Sequence, residues 1–275
     1  QQAVDMYVEI SGVKKLRAAT TPFCPDGSLT PHDDDEHGEL ADKACAVLMK
    51  LLWLGRLARP DLVRAISGLA SKVQCWSRNN DKQLYRLICY LNSTLDFYLE
   101  GYIGDKASDL RLRLYADADF AGDSGDARST SGGYLVVVGP NSFFPLSWVS
   151  RKQTSVSRST TESEIVSLAF CVYSEALPML NLWDLLVGGS CELEVLEDNE
   201  ATIKIVRNGF SSKLRHVSRT HKVNIAGLKE VLIAPHVDFK YVGTKEQAAD
   251  IFTKALGPQL WGPALDMLGI TRAGG

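Results

Sequence analysis

The chain has 275 residues, 45% hydrophobic and 23% charged, with a formal net charge of -3. This composition argues against a disordered chain and against a protein held to nucleic acid by bulk charge, although a local basic stripe can still grip phosphates. No apolar run approaches the roughly 18 residues that cross a bilayer, so no membrane partner is expected.

At about 100–200 residues per domain, the length predicts one domain with an extension, or two modest domains. The opening QQAVDMYVEISGVKKL has no initiator Met and no signal-peptide order, which reads as a start inside a longer chain. Cys24, Cys45, Cys75, Cys89, Cys171 and Cys191 lack any regular spacing. Reduced thiols in a reducing compartment, with no disulfide partner and no zinc, are therefore expected.

Residues 1–36 are rich in turn formers and read as a linker or surface loop. Within them Asp33, Asp34, Asp35 and Glu36 read as a solvated, dipole-favoured helix start, in preference to a metal site. Residues 37–109 read as a helical subdomain. ADKACAVLMKLLWLGRLA, PDLVRAISGLASKVQCW and DKQLYRLICYLNSTL carry apolar residues at helical spacing, and Pro60 suits a first helical turn. Met49, Leu52, Trp53 and Leu54 are expected to pack as core.

The period changes at LRLRLYADADF, where Leu110, Leu112, Leu114 and Ala116 alternate with polar residues as a strand requires. The turn-rich GDSGDARSTSGG leads to YLVVV, and FFPLSWVS follows; three strands joined this tightly should be antiparallel. A long helix over TESEIVSLAFCVYSEALPMLNLWDLL, a strand CELEVLED and a helix ending at an Asn-Gly stop come next. THKVNIAGLKEVLI predicts a helix, HVDFKYVG a strand, and TKEQAADIFTKAL a helix with Thr244 and Gln247 at capping-box spacing. The order is β-β-β-α-β-α-α-β-α. Residues 257–275 read as a short helix with a disordered tail, in which Trp261 docks a partner or simply packs.

Four acids fall where this reading places one edge of the sheet: Asp117, Glu164, Asp198 and Asp250. Any one of them alone reads as a solvated surface carboxylate. Brought together, they would resist ionisation unless divalent cations neutralised them, and oxygen donors suit Mg²⁺ or Mn²⁺. Two ions about 3.5–4 Å apart can drive in-line hydrolysis of a phosphodiester.

These residues lie in motifs that resemble a known family. DADFAGD, RSTSGGYL, PLSW with RKQ, SRSTTESEIVSLA, LEDNEATI, RHVSRTH and YVGTKEQAADIFTK occur in the order of the RNase H domain at the C-terminal end of copia-type retrotransposon polyproteins. The upstream WLGRLARPDLVRAISGLASKV and LYRLICYLNSTLDFYLEG look like the segment linking reverse transcriptase to RNase H. The resemblance implies an α/β, RNase H-like mixed five-stranded sheet, three antiparallel then two parallel strands, flanked by helices over 110–256. It also implies that Asp117, Glu164, Asp198 and Asp250 are catalytic and metal-binding, with Asp119 and Glu162 as neighbours one register away.

The implied activity is a metal-dependent endonuclease that uses two Mg²⁺ or Mn²⁺ ions on the RNA strand of an RNA/DNA hybrid. It would work beside the reverse transcriptase part of the same polyprotein, inside the cell, in cytoplasmic particles and the nucleus. Arg128, Ser129, Thr130, Ser131 and Asn199 are candidate contacts to the hybrid, with turn formation as the plainer reading of residues 128–131. Lys213, Arg215, His216, Arg219, His221 and Lys222 form the densest basic cluster and are read as phosphate contacts. Zinc at His216 and His221 is not expected, because no ligand set accompanies them at zinc spacing.

YVGTKEQAAD lacks the His that many cellular RNase H proteins carry before the last acid, so proton shuttling or product release should differ. No YxDD polymerase motif is present. The alternatives are a catalytically inactive hybrid-binding or polymerase-connection remnant, and an integrase-like enzyme, whose acids would run Asp, Asp, then Glu.

Overall fold

The computed structural model describes residues 1–122 and 127–273; residues 123–126, inside the expected GDSGDARSTSGG turn, and residues 274–275 lie outside them. The chain divides into two compact units, residues 1–99 with 255–275, and residues 100–254.

The first unit begins with a helix where a loop was expected, α1 (Gln2–Ser11), which buries Ala3, Val4 and Tyr7 and stops at Gly12 in the left-handed region. α2 (Pro31–Asp35) is a short helix started by Thr30, whose hydroxyl accepts from the Asp33 amide. The acidic run is a helix start tied by ion pairs. Asp33 holds Lys82 at 2.5 Å and Glu36 holds Arg78 at 2.7 Å.

α3 (Ala41–Leu57), α4 (Val63–Ala70) and α5 (Arg78–Ser93) form the predicted helical region. Ala44, Val47, Leu48 and Leu51 make the buried face of α3. Met49 and Trp53 are exposed, contrary to their expected place in the core. Apolar residues at 49, 52, 53 and 54 span too wide an arc for a single helix face to bury. Between α3 and α5 the Arg59 guanidinium forks onto Asp61 and also donates to Thr94, while the Tyr90 hydroxyl donates to Asp61. This buried ion pair has its hydrogen bonds satisfied, the condition under which such a pair is tolerated. Strand β1 (Phe97–Leu99) follows.

The second unit is the sheet. β2 (Arg111–Asp119), β3 (Thr130–Gly139) and β4 (Ser142–Lys152) are antiparallel neighbours. β5 (Leu193–Glu197) lies parallel to β2, and β6 (Val237–Tyr241) parallel to β5. The order β4-β3-β2-β5-β6 is the mixed RNase H-like sheet that the resemblance implied. The parallel connection from β5 to β6 runs through α8 (Glu200–Asn208), α9 (Val217–Thr220) and α10 (Ile225–Leu232). α8 ends at Gly209 in the left-handed region, the predicted Asn-Gly stop.

The long helix is continuous over Thr160–Val187 as α6 (Thr160–Cys171), a π-helical turn at Val172–Ala176, and α7 (Leu177–Val187). Its length and mean hydropathy would suffice to cross a membrane, as those of a buried core helix also can, although no continuous apolar run of that length is present. It lies on the sheet, with Ile165, Leu168, Cys171 and Val172 in the hydrophobic core beside Leu112, Leu114 and Val195.

The predicted helix over TKEQAADIFTKAL is broken into a single turn at Thr244–Glu246 and α11 (Asp250–Thr253). Gln247 does not complete a capping box. Its buried side-chain amide donates to the Ala116 carbonyl on β2, a demand of the sheet that outranks local capping.

The chain then re-enters the first unit. α12 (Pro258–Leu268) is followed by β7 (Ile270–Arg272), which pairs antiparallel with β1, where a disordered tail was expected. Trp261 is buried: its indole N–H donates to the Tyr90 hydroxyl at 3.2 Å, and Phe23 and Tyr90 meet it edge-on. It packs, as the plainer of its two readings had it.

Candidate active site

Two glycines bring helices from opposite faces to the end of β2. Gly132 pairs with Asp117 across the ladder. A Cβ on Gly132 would lie 2.5 Å from Thr253 Cγ2 of α11, and one on Gly133 would lie 2.6 Å from Cys171 Sγ of α6. The Ser167 hydroxyl, on α6, donates to the Asp117 carbonyl. Only without those side chains can both helices approach the strand that carries Asp117.

The result is a cluster of carboxylates. Asp117, Glu164 and Asp198 each offer an oxygen, and these oxygens all lie within 4.8 Å of one another. All three line an open cleft of about 670 Å³, together with Asp119, Asn199 and Lys254. Asp250 stands beside this triplet through a cation: Lys254 donates to Asp250 at 2.6 Å and to Asp117 at 3.3 Å. The Thr253 hydroxyl donates to the other Asp117 oxygen.

Electrostatics follow from burial and crowding. Burial, then the charges of Glu197, Asp117 and Asp198, push the Glu164 carboxyl up to about 11. Burial and the charge of Asp117 raise Asp250 to about 6, with Lys254 opposing, and burial followed by Asp117 raises Asp198. Burial works against the Lys254 ammonium, but Asp117 and Asp250 outweigh it and hold its pKa above the ordinary value.

Geometry separates the two register alternatives. Asp119 lines the cleft without joining the triplet. Glu162, two residues from Glu164, is turned away: one of its oxygens meets Nε2 of both His216 and His221 at 3.1 Å, and the other accepts from the Arg158 amide.

The expected nucleic-acid contacts are scattered. Ser129 is fully buried at the strand entry, and its hydroxyl accepts from the Ala121 amide. Thr130 and Ser131 are also buried, and the Ser131 hydroxyl accepts from Gln153. Asn199 caps α8, accepting from the Thr202 amide. Arg128, Lys213, Arg215, Arg219 and Lys222 are exposed, with Arg215 over the Phe210 ring. A second cleft of about 460 Å³ is lined by Arg151, Lys152, Tyr173, His221 and Lys222.

Two residues of the site escaped the sequence reading. Glu197 is fully buried, and one of its oxygens has no hydrogen-bond partner. Burial, then the charge of Asp198, lifts its pKa well above the ordinary value. Its signal was present, since Leu193, Val195 and Glu197 share one face in the two-residue period of β5. Lys254 lay four residues after Asp250 in a stretch read as plain helix.

The donor set fits a hard divalent cation. It consists of carboxylate oxygens, and the buried Glu164 Oε2 has no hydrogen-bond partner, a costly state for an anion that a cation would relieve.

The sheet order and the acids at the end of its central strand define an RNase H-like domain. No protein-family model matches the chain. The retrovirus-related Pol polyprotein from transposon RE1 of Arabidopsis thaliana is 27% identical over 93% of this chain and 17% of its own length. Secreted RxLR effector protein 161 of Plasmopara viticola is 35% identical over 43% of this chain and 79% of its own. Among solved structures, LC11-RNase H1, isolated from compost by a metagenomic approach, is similar at 19% identity and a TM-score of 0.37, over 52% of this chain and 92% of its own. The chain is similar to retrovirus-related Pol polyproteins of copia-type retrotransposons, and it spans about one-sixth of the RE1 length.

Proposed function

We propose that residues 100–254 form a ribonuclease H that hydrolyses the RNA strand of an RNA/DNA hybrid during reverse transcription. The observation that carries this reading is the convergence of Asp117, Glu164 and Asp198 at an open cleft, with a buried Glu164 oxygen left unpaired. Asp117, Glu164, Asp198 and Asp250 would hold Mg²⁺, or Mn²⁺, as two ions. When bound, such ions supply Lewis acidity, a water activated at neutral pH and charge for the leaving oxygen.

The chain's own groups position the rest. Thr253 fixes one Asp117 oxygen, and Ser167 fixes the backbone of the same residue. Exposed Arg128, Lys213, Arg215 and Arg219 offer charge to phosphates, while Arg151, Lys152 and Lys222 in the second cleft offer a further anion contact. Selection of RNA would rest on its 2′-hydroxyls in the minor groove. No histidine lines the carboxylate cleft among the described residues. The helices α3–α5 of the first unit are the proposed connection to the polymerase part of the polyprotein, and similarity to Pol polyproteins of transposons supports work inside the cell.

The test is cleavage of a labelled RNA/DNA hybrid with Mg²⁺, with EDTA, and by Asp198→Asn. Cutting of the RNA strand alone, lost in both controls, is the expected result; a folded chain that binds the hybrid and leaves it whole would make it a binding module.

A further inference from the structure

Lys254 is the one cation that touches the carboxylate cluster among the interactions of the described residues, and it touches two candidate ligands at once. Its ammonium lies 2.6 Å from Asp250 Oδ1 and 3.3 Å from Asp117 Oδ1, so it sits where an ion shared by those two carboxylates would bind. The triplet of Asp117, Glu164 and Asp198 includes no atom of Asp250. The four acids are therefore unequal. Three face one another around the cleft, and the fourth is already neutralised by an ammonium from the next turn of chain.

We infer that Lys254 is a placeholder cation, which holds the Asp117–Asp250 position closed to a second divalent ion while no nucleic acid is bound. An ammonium and a divalent ion held by the same pair of oxygens compete for them and repel each other at contact distance. Lys254 makes no ion pair with Glu164 or Asp198, so those two carboxylates of the triplet remain available to an ion with Lys254 in place. The ammonium reaches the cleft surface, so the phosphate of an arriving strand offers it another acceptor. This inference rests on the reading of the cluster as a metal site.

The experiment is Mn²⁺ titration of the full chain without nucleic acid, followed by electron paramagnetic resonance, which distinguishes an isolated ion from an exchange-coupled pair. The wild type is expected to take one ion with an isolated-ion spectrum. Lys254→Ala should take two, with the coupled spectrum and the second ion bound at least about tenfold more tightly, as loss of an adjacent unit charge implies. Lys254→Arg should stay at one, and Lys254→Gln, closer in length, replaces the Ala variant if that one loosens the chain. A coupled pair in the wild type, or one ion at unchanged affinity in a folded Lys254→Ala, would overturn the inference and leave the metal reading standing. No bound ion in either protein would overturn that reading and the inference with it.

Discussion

Glu164 and Glu197 each bury a carboxylate oxygen that no hydrogen bond reaches, and both lie near Asp117 and Asp198. Without divalent ions this crowding makes stability depend on pH in a definite direction. Asp250, raised to about 6, and Glu164, raised to about 11, bind protons more tightly folded than unfolded. Their contribution is full below the unfolded carboxylate range and is lost as pH rises through the folded values. The melting temperature in EDTA should fall between pH 4 and pH 8 and recover at the upper end when Mg²⁺ is added; a flat or rising profile in EDTA would contradict the assignment.

Asp198→Asn removes a charge that opposes Glu164 and Asp117 and breaks no cation pair. It should raise the metal-free melting temperature by roughly 2–4 °C, about 1 kcal/mol for a domain of this size, while cleavage is lost. Asp117→Asn also loses the ion pair with Lys254, so it should give no such gain, and calorimetry of the two variants side by side checks the difference. Asp117, Glu164 and Asp198 were legible in the sequence because strand period, helix start and motif order all marked them. Lys254 and Glu197 were not, since one needed the helix to break and the other needed an acid accepted on a core-facing position.

At the scale of elements, the meeting of α11 with β3 depends on a missing side chain. Gly132→Ala would press a methyl against Thr253, Phe252 and the Ala249 carbonyl, displacing the turn that carries Asp250 and Lys254. An overpacking cost of about 1–3 kcal/mol is expected, with weaker Mn²⁺ binding; wild-type affinity and stability would show that α11 is placed by other contacts. Sequence period located the sheet strands and the long helix well, because each carries its own repeat. It failed over residues 244–253, where Gln247 answers a carbonyl on β2 more than a hundred residues upstream. It also failed over residues 1–11, where a helix buries only a few side chains and leaves a weak pattern.

On the scale of the whole molecule, the first unit is completed by residues that come after the second. Trp261, Leu265, Leu268 and Ile270 are buried there. At about 1.5–3 kcal/mol for each buried side chain, losing them rivals the 5–15 kcal/mol that holds a domain folded. A chain ending at Lys254 should therefore lose amide protection across α3–α5 in hydrogen exchange while β2–β6 keep theirs. Retained protection in those helices would show that the unit stands without its returning segment.

The same return has a consequence for processing. The sheet unit is tied at both ends into one helical body, leaving it from β1 and coming back into α12. A protease that cuts once, at either junction, leaves the fragments clasped through β1 and β7. Freeing the sheet unit alone takes two cuts, one at each junction.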